Sequence, residues 1–311
     1  MRLHGVHWAR AHGPTARRAQ RNGATPPDHP YPTAVVLSGG GSHGAAQAGM
    51  LLGLLESGIR PDLIVGVSVG AMHAAAIGAD PSVDNARRLT ALWETLTARD
   101  VFGPPHRHAL MNLLRHADHL YEPTALRALV HRCLPAGLDL GKLAVPVQIA
   151  TTDLDAGRLA WWGKGHATDV LVASAALPGL LPPVTLHDDE GVRSRHVDGG
   201  VLAPVPVHRA LELGARDVWL LDVTGGAAAA RWPGGDQLTA AQVLLRSFTV
   251  ARYAGLPDSW DAITGPGQRV HVVDAPAVSS VDIRDFSHGR RLVAAGYAAV
   301  KAMTSARAVA A

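Results

Sequence analysis

One serine in this sequence stands where an acyl-transfer nucleophile would be expected. Ser68 occupies the centre of the pattern Gly-x-Ser-x-Gly, between Gly66 and Gly70. The apolar run 63–65 precedes it and the alanine-rich run 71–77 follows it, which predicts a strand, a sharp turn and a buried helix. A serine on such a turn exposes its hydroxyl, and the helix that follows stabilises negative charge at its N-terminus. The pattern also occurs by chance, so its context matters.

A second glycine-rich turn precedes the serine by about 25 residues. The run Gly39-Gly40-Gly41-Ser42-His43-Gly44 lies between the apolar segment 34–37 and the helix-like stretch 45–55. Glycines carry no side chain, so their successive N–H groups can converge on a developing oxyanion. Such donors contribute about 10²–10³ each to the rate of acyl transfer. This turn is therefore a candidate oxyanion hole.

The same turn also satisfies the dinucleotide-binding pattern Gly-x-Gly-x-x-Gly, through Gly39, Gly41 and Gly44. That interpretation requires an acidic residue about 20 positions further on, at the end of the second strand, to hold a ribose hydroxyl. Here the second strand ends at Gly66-Val67-Ser68, and the acids Glu56 and Asp62 come before it. The pattern fails at its most diagnostic position, so nucleotide binding is disfavoured.

A third element is the carboxylate Asp198, which begins Asp198-Gly199-Gly200 after the short predicted strand 195–197. An isolated Asp-Gly pair usually marks only a turn. Here, however, the Asp-Gly pair follows the glycine-rich turn 39–44 and the turn at Ser68 in the same chain. The three elements in this order favour a common catalytic site over an isolated turn.

Together these elements resemble the patatin-like phospholipase family, of the bacterial type. The family carries a glycine-rich oxyanion loop, a Gly-x-Ser-x-Gly serine and an Asp-Gly-Gly or Asp-Gly-Ala aspartate in that order. Other parts of the chain also look like family blocks, and the resemblance extends over roughly residues 33–304. These further blocks are 152–157, 173–179, 182–184 and 285–287.

The resemblance implies a serine lipid acyl hydrolase of the phospholipase, lysophospholipase or esterase type, acting on a lipid or acyl-ester substrate through an acyl-enzyme. Ser68 would be the nucleophile and Asp198 its general base and orienting partner, with no histidine between them. The N–H groups of Gly39, Gly40 and Gly41 would hold the oxyanion, and neither a metal nor an organic cofactor is expected. The other glycines of the three motifs are Gly44, Gly66, Gly70, Gly199 and Gly200.

One residue departs from the family pattern, which usually has Arg or Lys where His43 stands. A histidine is only partly protonated near neutral pH. If a fixed positive charge orients the glycine loop or meets an anionic headgroup, this chain would do so weakly or in a pH-dependent way. The alternative is that His43 only packs or hydrogen-bonds locally.

A conventional Ser-His-Asp triad is the main mechanistic alternative. In α/β-hydrolases the histidine follows the acid along the chain, so a late residue such as His271 or His288 would be required. His73 and His196 lie closer to the two candidate residues in sequence. A different class of function is a non-catalytic lipid-binding or scaffold protein that has kept the fold.

Two further groups of polar residues are predicted to have structural rather than catalytic or metal-binding roles. Ser174 has no glycine elbow, so we predict a helix-start role for it, with Pro178 ending the turn. Asp153 and Asp155 could form a metal site with Asp198, but carboxylates in a tight turn between two strands are the favoured interpretation.

Apolar runs alternating with helical segments predict an α/β fold, with a parallel-type central sheet covered by helices on both faces. We divide the chain into a basic, disordered leader at 1–32, a catalytic domain at 33–305 and a tail at 306–311. The domain contains a helical insert at about 84–134. The low-complexity stretch 225–236 is interpreted as a mobile surface loop, with a lid near the site as the alternative. The predicted strands are 34–37, 63–65, 145–151, 158–162, 195–197, 218–222 and 270–274, and a closing helix is predicted at 288–307.

The basic character of the chain lies in its first thirty residues. The formal net charge is +3, but residues 1–30 contain five arginines and one aspartate, which leaves a net charge of −1 for the remaining 281 residues. Without a clustered basic face, nucleic acid is excluded as a partner. The arginines predict at most a peripheral contact with a membrane. One cysteine, Cys133, and the lack of a secretory signal at the start predict a cytoplasmic location.

Overall fold

The computed structural model describes residues 30–104, 118–225, 240–257 and 259–310. Its strands form a single sheet of eight in the described part of the chain, in the spatial order β5-β6-β3-β2-β1-β7-β8 with β4 paired to β3. The strands are β1 (Tyr31–Leu37), β2 (Leu63–Val67), β3 (Val147–Asp153), β4 (Arg158–Trp162), β5 (Val184–His187), β6 (Arg193–Asp198), β7 (Ala215–Asp222) and β8 (Arg269–Asp274).

Helices connect the strands and close the chain. They are α1 (Gly44–Glu56), α2 (Val69–Ala79), α3 (Val83–Thr95), α4 (Ala98–Phe102), α5 (Thr124–Cys133), α6 (Ala167–Ser174), α7 (Val207–Glu212), α8 (Ala240–Tyr253) and α9 (Gly289–Ala310). Strands β1, β2, β3, β7 and β8 run parallel, β4 and β6 pair with β3 in the antiparallel sense, and β5 pairs antiparallel with β6. The predicted α/β class with a parallel-type sheet is confirmed.

Both faces of the central strands are buried. On β1, Val35 and Leu37 join the larger core beneath α1, α2, α3 and α9, while Ala34 and Val36 join the smaller core with α7. Strands buried on both sides must be apolar at nearly every position, which explains why β1 and β2 appear in the sequence as continuous apolar runs rather than alternating ones.

The boundaries of the folded unit differ from those predicted. Tyr31 and Pro32, assigned to the leader, lie in β1, where Tyr31 pairs with Ala215 of β7. Pro32 is tolerated there because β2 pairs with β1 only from Ala34 onward. At the other end, helix α9 runs to Ala310 and takes up most of the predicted tail.

The helical insert is represented by α3, α4 and α5, which surround the stretch 105–117. That stretch lies outside the described residues, as do the leader up to residue 29 and the low-complexity segment from residue 226 onward. The predictions made for these segments therefore stay predictions.

Candidate active site

The register of three neighbouring strands brings Ser68 and Asp198 together at one edge of the sheet. Val67, the last residue of β2, pairs with Ala150 of β3. The next residue of β3, Thr151, pairs with Asp198 at the end of β6. Because Ser68 follows Val67 directly, the hydroxyl and the carboxylate flank the same short piece of β3, although they are far apart in sequence.

Ser68 lies on a strained turn. Its φ of 56° and ψ of −124° make it the one non-glycine residue with a positive φ in the part of the chain that the structure describes. Such a conformation is unfavourable for an L-residue and is retained where the surroundings enforce it. The flanking glycines allow it: a β-carbon on Gly70 would collide with the Leu37 carbonyl, and one on Gly66 with the Gly70 carbonyl.

Ser174 holds the backbone of this turn. It is the last residue of α6, so the predicted helix-start role is wrong. Its hydroxyl accepts a hydrogen bond from the Ser68 N–H at 3.0 Å and donates one to the Ala150 carbonyl at 2.7 Å. The sequence does contain a signal for this role: Ser174 is the polar residue in the apolar run 170–177, and a buried hydroxyl needs partners.

Asp198 is almost completely buried, with 1% of its surface exposed. Its Oδ1 accepts a hydrogen bond from the Gly200 N–H at 2.7 Å, whereas its Oδ2 makes none at ordinary distance to any residue that the structure describes. Burial raises the pKa of this carboxyl group above its ordinary value, while Arg252, the Ser68 hydroxyl and the Gly200 N–H each oppose the rise. The result is a buried carboxylate with an unused acceptor atom beside a serine.

The glycine loop leaves two amides unengaged. The Gly39 N–H donates to the Pro204 carbonyl at 3.1 Å, so this predicted oxyanion donor is already committed. No acceptor within the described ranges takes the N–H of Gly40 or Gly41. Gly41 also lines the cavity at Ser68 and has a φ of +56°, which favours glycine.

His43 fastens the glycine loop to its surroundings and does not face solvent. Only 4% of its surface is exposed. Its Nδ1 lies 3.0 Å from the Val223 carbonyl oxygen and its Nε2 lies 2.8 Å from that of Val281. A neutral imidazole can donate to only one of these acceptors, whereas an imidazolium can donate to both. Contact between His43 and a headgroup does not fit this geometry, whereas local hydrogen bonding and orientation of the glycine loop both do.

The histidines considered for a triad are engaged elsewhere. His73 lies beneath the site, where its Nδ1 pairs with Gln47 Oε1 at 2.9 Å and its Nε2 accepts from Trp93 Nε1 at 2.7 Å. Burial lowers the pKa of His73 to about 3, so this ring is neutral. The remaining contacts are His196 with Thr151 and Ser194, His271 with Asp217, and His288 with Asp285.

An apolar cavity of about 90 Å³ opens at Ser68. Helices α2, α3 and α5 supply half of its lining residues, and Phe286 stacks on Trp93 at one side with ring centroids 6.1 Å apart. Aliphatic side chains predominate among the lining residues, which include Val69, Met72, Leu89, Leu96, Leu129 and Leu181. Ser68 therefore faces a surface suited to a hydrocarbon chain.

Asp153, the last residue of β3, and Asp155 stabilise the turn that follows, in agreement with their sequence interpretation. Asp153 Oδ1 accepts from the N–H groups of Asp155 and Ala156, each at 3.0 Å, and Asp155 binds Arg195. Across the described ranges, no three His, Cys, Asp or Glu side chains are grouped as a metal ion would require. Likewise, no helix in those ranges is both long and apolar enough to cross a membrane.

The chain is similar in sequence to curated proteins, among them one from mouse and one from Mycosarcoma maydis. The chain is 27% identical to mouse "Patatin-like phospholipase domain-containing protein 6" over 191 residues, 61% of this chain but 13% of that protein. It is 26% identical to "Lysophospholipase NTE1" of Mycosarcoma maydis over 242 residues, 74% of this chain and 12% of that protein. The chain thus spans only a small part of the length of these relatives.

Among solved structures, VipD from Legionella pneumophila gives a TM-score of 0.45 at 16% identity, covering 90% of this chain and 67% of that one. A family model described as patatin-like phospholipase matches residues 35–211, more than half of the chain. The matched region contains the glycine loop, Ser68 and Asp198. The chain belongs to the patatin-like phospholipase family.

Proposed function

We propose that this chain is a serine lipid acyl hydrolase of the phospholipase, lysophospholipase or esterase type that uses Ser68 and Asp198 as a catalytic dyad. The observation that carries the proposal is the position of Ser68, on a strained turn beside a buried carboxylate at the mouth of an apolar cavity. A strained backbone, a buried charge and an unfilled apolar cavity each lower the stability of the fold. Their occurrence at one place is typical of an active site.

In the first half of the reaction, Asp198 takes the proton of the Ser68 hydroxyl as Oγ bonds to the ester carbonyl carbon. The electron pair of the carbonyl moves to its oxygen, and the N–H groups of Gly40 and Gly41 donate to that oxyanion. When the intermediate collapses, the ester C–O bond breaks and the alcohol leaves with the proton from Asp198. The raised pKa of the buried carboxyl group makes it a better base than an exposed aspartate.

In the second half, Asp198 takes a proton from water as the water oxygen attacks the acyl-enzyme. The Ser68 Oγ then leaves the carbonyl carbon and regains the proton, which releases the fatty acid. The two steps need one base and one oxyanion site, and the proposed mechanism uses no metal and no organic cofactor.

The substrate proposed is a lipid ester whose acyl chain enters the apolar cavity. Next to the site, Ile283 at the cavity wall and Leu202 just after the Asp-Gly-Gly turn expose 41% and 51% of their surfaces. Exposed aliphatic side chains beside a lipid-binding cavity fit peripheral contact with a membrane, and the arginines of the leader would add attraction to anionic lipid. One cysteine, Cys133, fits a reducing, cytoplasmic location.

The activity can be tested with a fluorophosphonate probe and a panel of phospholipids and lysophospholipids. We expect the probe to label the wild-type protein and not Ser68→Ala, and we expect mass spectrometry to detect released fatty acid. Ser57→Ala serves as a control, because it removes a hydroxyl at the end of α1 that contacts Thr304 and does not line the cavity. Lipid binding without labelling or release would instead identify a non-catalytic lipid-binding protein.

Filling the cavity is expected to shift the chain-length preference. Ala76 of α2 is buried and lines the cavity, so Ala76→Phe would place a ring in the space proposed for the acyl chain. Losing the burial of two methylene groups, about 1.6 kcal/mol, would lower kcat/KM for a long-chain ester about tenfold relative to a short-chain ester. The measurement is the ratio of kcat/KM for p-nitrophenyl palmitate and butyrate. An unchanged ratio would place the acyl chain elsewhere.

A further inference from the structure

Helix α8 brings an arginine to the turn that contains Asp198. Arg252, one residue before the end of α8, donates a hydrogen bond from Nε to the Gly200 carbonyl at 2.6 Å. Its Nη2 lies 2.6 Å from the point that a β-carbon on Gly200 would occupy, and Oδ1 of Asp198 lies 3.0 Å from the same point. The guanidinium and the carboxylate therefore both lie against the space that a side chain on Gly200 would fill.

We propose that Arg252 is a positioning residue for the general base: it fixes the Asp198–Gly200 turn through the Gly200 carbonyl, and its charge keeps the Asp198 carboxylate ionised inside the protein. Arginine suits both tasks, because it offers several donors in a fixed plane and is not deprotonated in proteins. The role rests on the proposed function, since it concerns the base of that reaction.

The electrostatic surroundings of Asp198 contain few groups that could replace this charge. Burial disfavours the carboxylate, and Arg252 is the strongest of the influences that oppose it, ahead of the Ser68 hydroxyl and the Gly200 N–H. Tyr253, the next residue of α8, also interacts with Asp198. Burial raises the pKa of Tyr253 above its ordinary value, so near neutral pH its phenol carries no charge.

The site shows why the turn contains glycine at this position. A side chain on Gly200 would occupy the space between Nη2 of Arg252 and Oδ1 of Asp198. The helix that carries Arg252 lies between β7 and β8 in the chain, far in sequence from both members of the dyad. Arg252 thus links α8 to the Asp198–Gly200 turn, and it does not contact the reacting atoms.

The experiment compares the pH dependence of fluorophosphonate labelling in the wild type, Arg252→Gln and Arg252→Lys. An opposite charge at close range lowers a carboxyl pKa by about 1–3 units. Because the carboxylate is the active form, labelling rises with pH through the Asp198 pKa. Removing the charge raises that pKa, so in Arg252→Gln the rise should move about one unit or more to higher pH. Arg252→Lys keeps the charge and should show the smaller shift.

A control for loss of positive charge elsewhere is Arg290→Ala, whose side chain is 85% exposed. We expect its pH profile to match that of the wild type. The proposal is overturned if Arg252→Gln keeps the wild-type profile, or if Arg252→Lys shifts as far as Arg252→Gln. Failure of the proposed function is a separate outcome, because the wild type would then show no labelling at Ser68 at any pH.

Discussion

Asp198→Asn and Ser68→Ala are each expected to lower kcat for ester hydrolysis by roughly 10⁴-fold or more, the loss seen when one member of a cooperating catalytic unit is removed. Asparagine can still accept the hydrogen bond of the Gly200 N–H through its oxygen, so the turn is preserved. It cannot take the serine proton. The measurement is steady-state hydrolysis of a soluble p-nitrophenyl ester by both variants and the wild type.

The asparagine variant should also retain or gain stability near neutral pH. The Asp198 pKa is raised in the folded state, so the folded protein carries an unfavourable buried charge once the pH exceeds that pKa. Removing the charge relieves this penalty at neutral pH, and the gain should disappear at pH values below the ordinary aspartate pKa. Thermal unfolding at two pH values tests this, and it separates loss of the base from loss of the fold.

Histidine variants complete the comparison. His271→Ala and His288→Ala remove the late histidines that a triad would require, and their present partners are Asp217 and Asp285. We expect both variants to retain most of the activity. If either were as inactive as Ser68→Ala, or if Asp198→Asn turned over the ester at near the wild-type rate, the dyad would be wrong and a triad mechanism would be favoured.

Local patterns in the sequence were sufficient to predict the class of fold. A parallel strand buried on both faces must be apolar throughout, so β1, β2 and β7 could be recognised as short apolar runs that end at glycines, small residues or acids. The edge strand β8 is only partly buried, but it contains a similar short apolar run. The turn at Ser68 could also be recognised from local sequence. Gly66 and Gly70 lie where close contact with neighbouring carbonyl groups leaves no room for a β-carbon.

The long-range parts of the site could not be predicted from local patterns. Asp198 reaches Ser68 through the pairing of β3 with β6, which joins residues more than forty positions apart in sequence. The contacts of Ser174 and Arg252 likewise depend on where α6 and α8 pack. The apolar run around Ser174 indicates that its hydroxyl needs partners, but it does not say which groups these are. The Gly39 N–H donates its hydrogen bond to the carbonyl of Pro204, a residue that only the folded chain brings close.

The departure at His43 is explained by the same kind of contact. Its ring lies between the carbonyl groups of Val223 and Val281, which belong to the segments after β7 and before α9. A resemblance drawn from the glycine motif shows that the residue type differs, but only the structure shows what the ring binds. The loop at the proposed oxyanion site is thereby held from two sides, and Ser42 adds a third hydrogen bond from its N–H to the Ile283 carbonyl at 2.8 Å.

Gly41→Ala is expected to lower kcat by about 10²–10³, the loss typical of removing one oxyanion donor. Gly41 has a φ of +56°, and a β-carbon there would collide with the Ile283 carbonyl, so the loop must move and carry the two unengaged amides with it. Because the oxyanion exists only in the transition state and intermediates, the loss should appear in kcat with little change in KM.

Gly58→Ala separates this effect from the general cost of a left-handed alanine. Gly58 has a φ of +80°, and nothing lies within 4 Å of the position of its β-carbon. The substitution should therefore cost about 1–2 kcal/mol of stability through its backbone alone and leave kcat unchanged. If Gly41→Ala also lowered only the stability and kept the wild-type kcat, the oxyanion would be held by groups other than the Gly40 and Gly41 amides. A selective loss of kcat would place those two N–H groups at the reacting carbonyl.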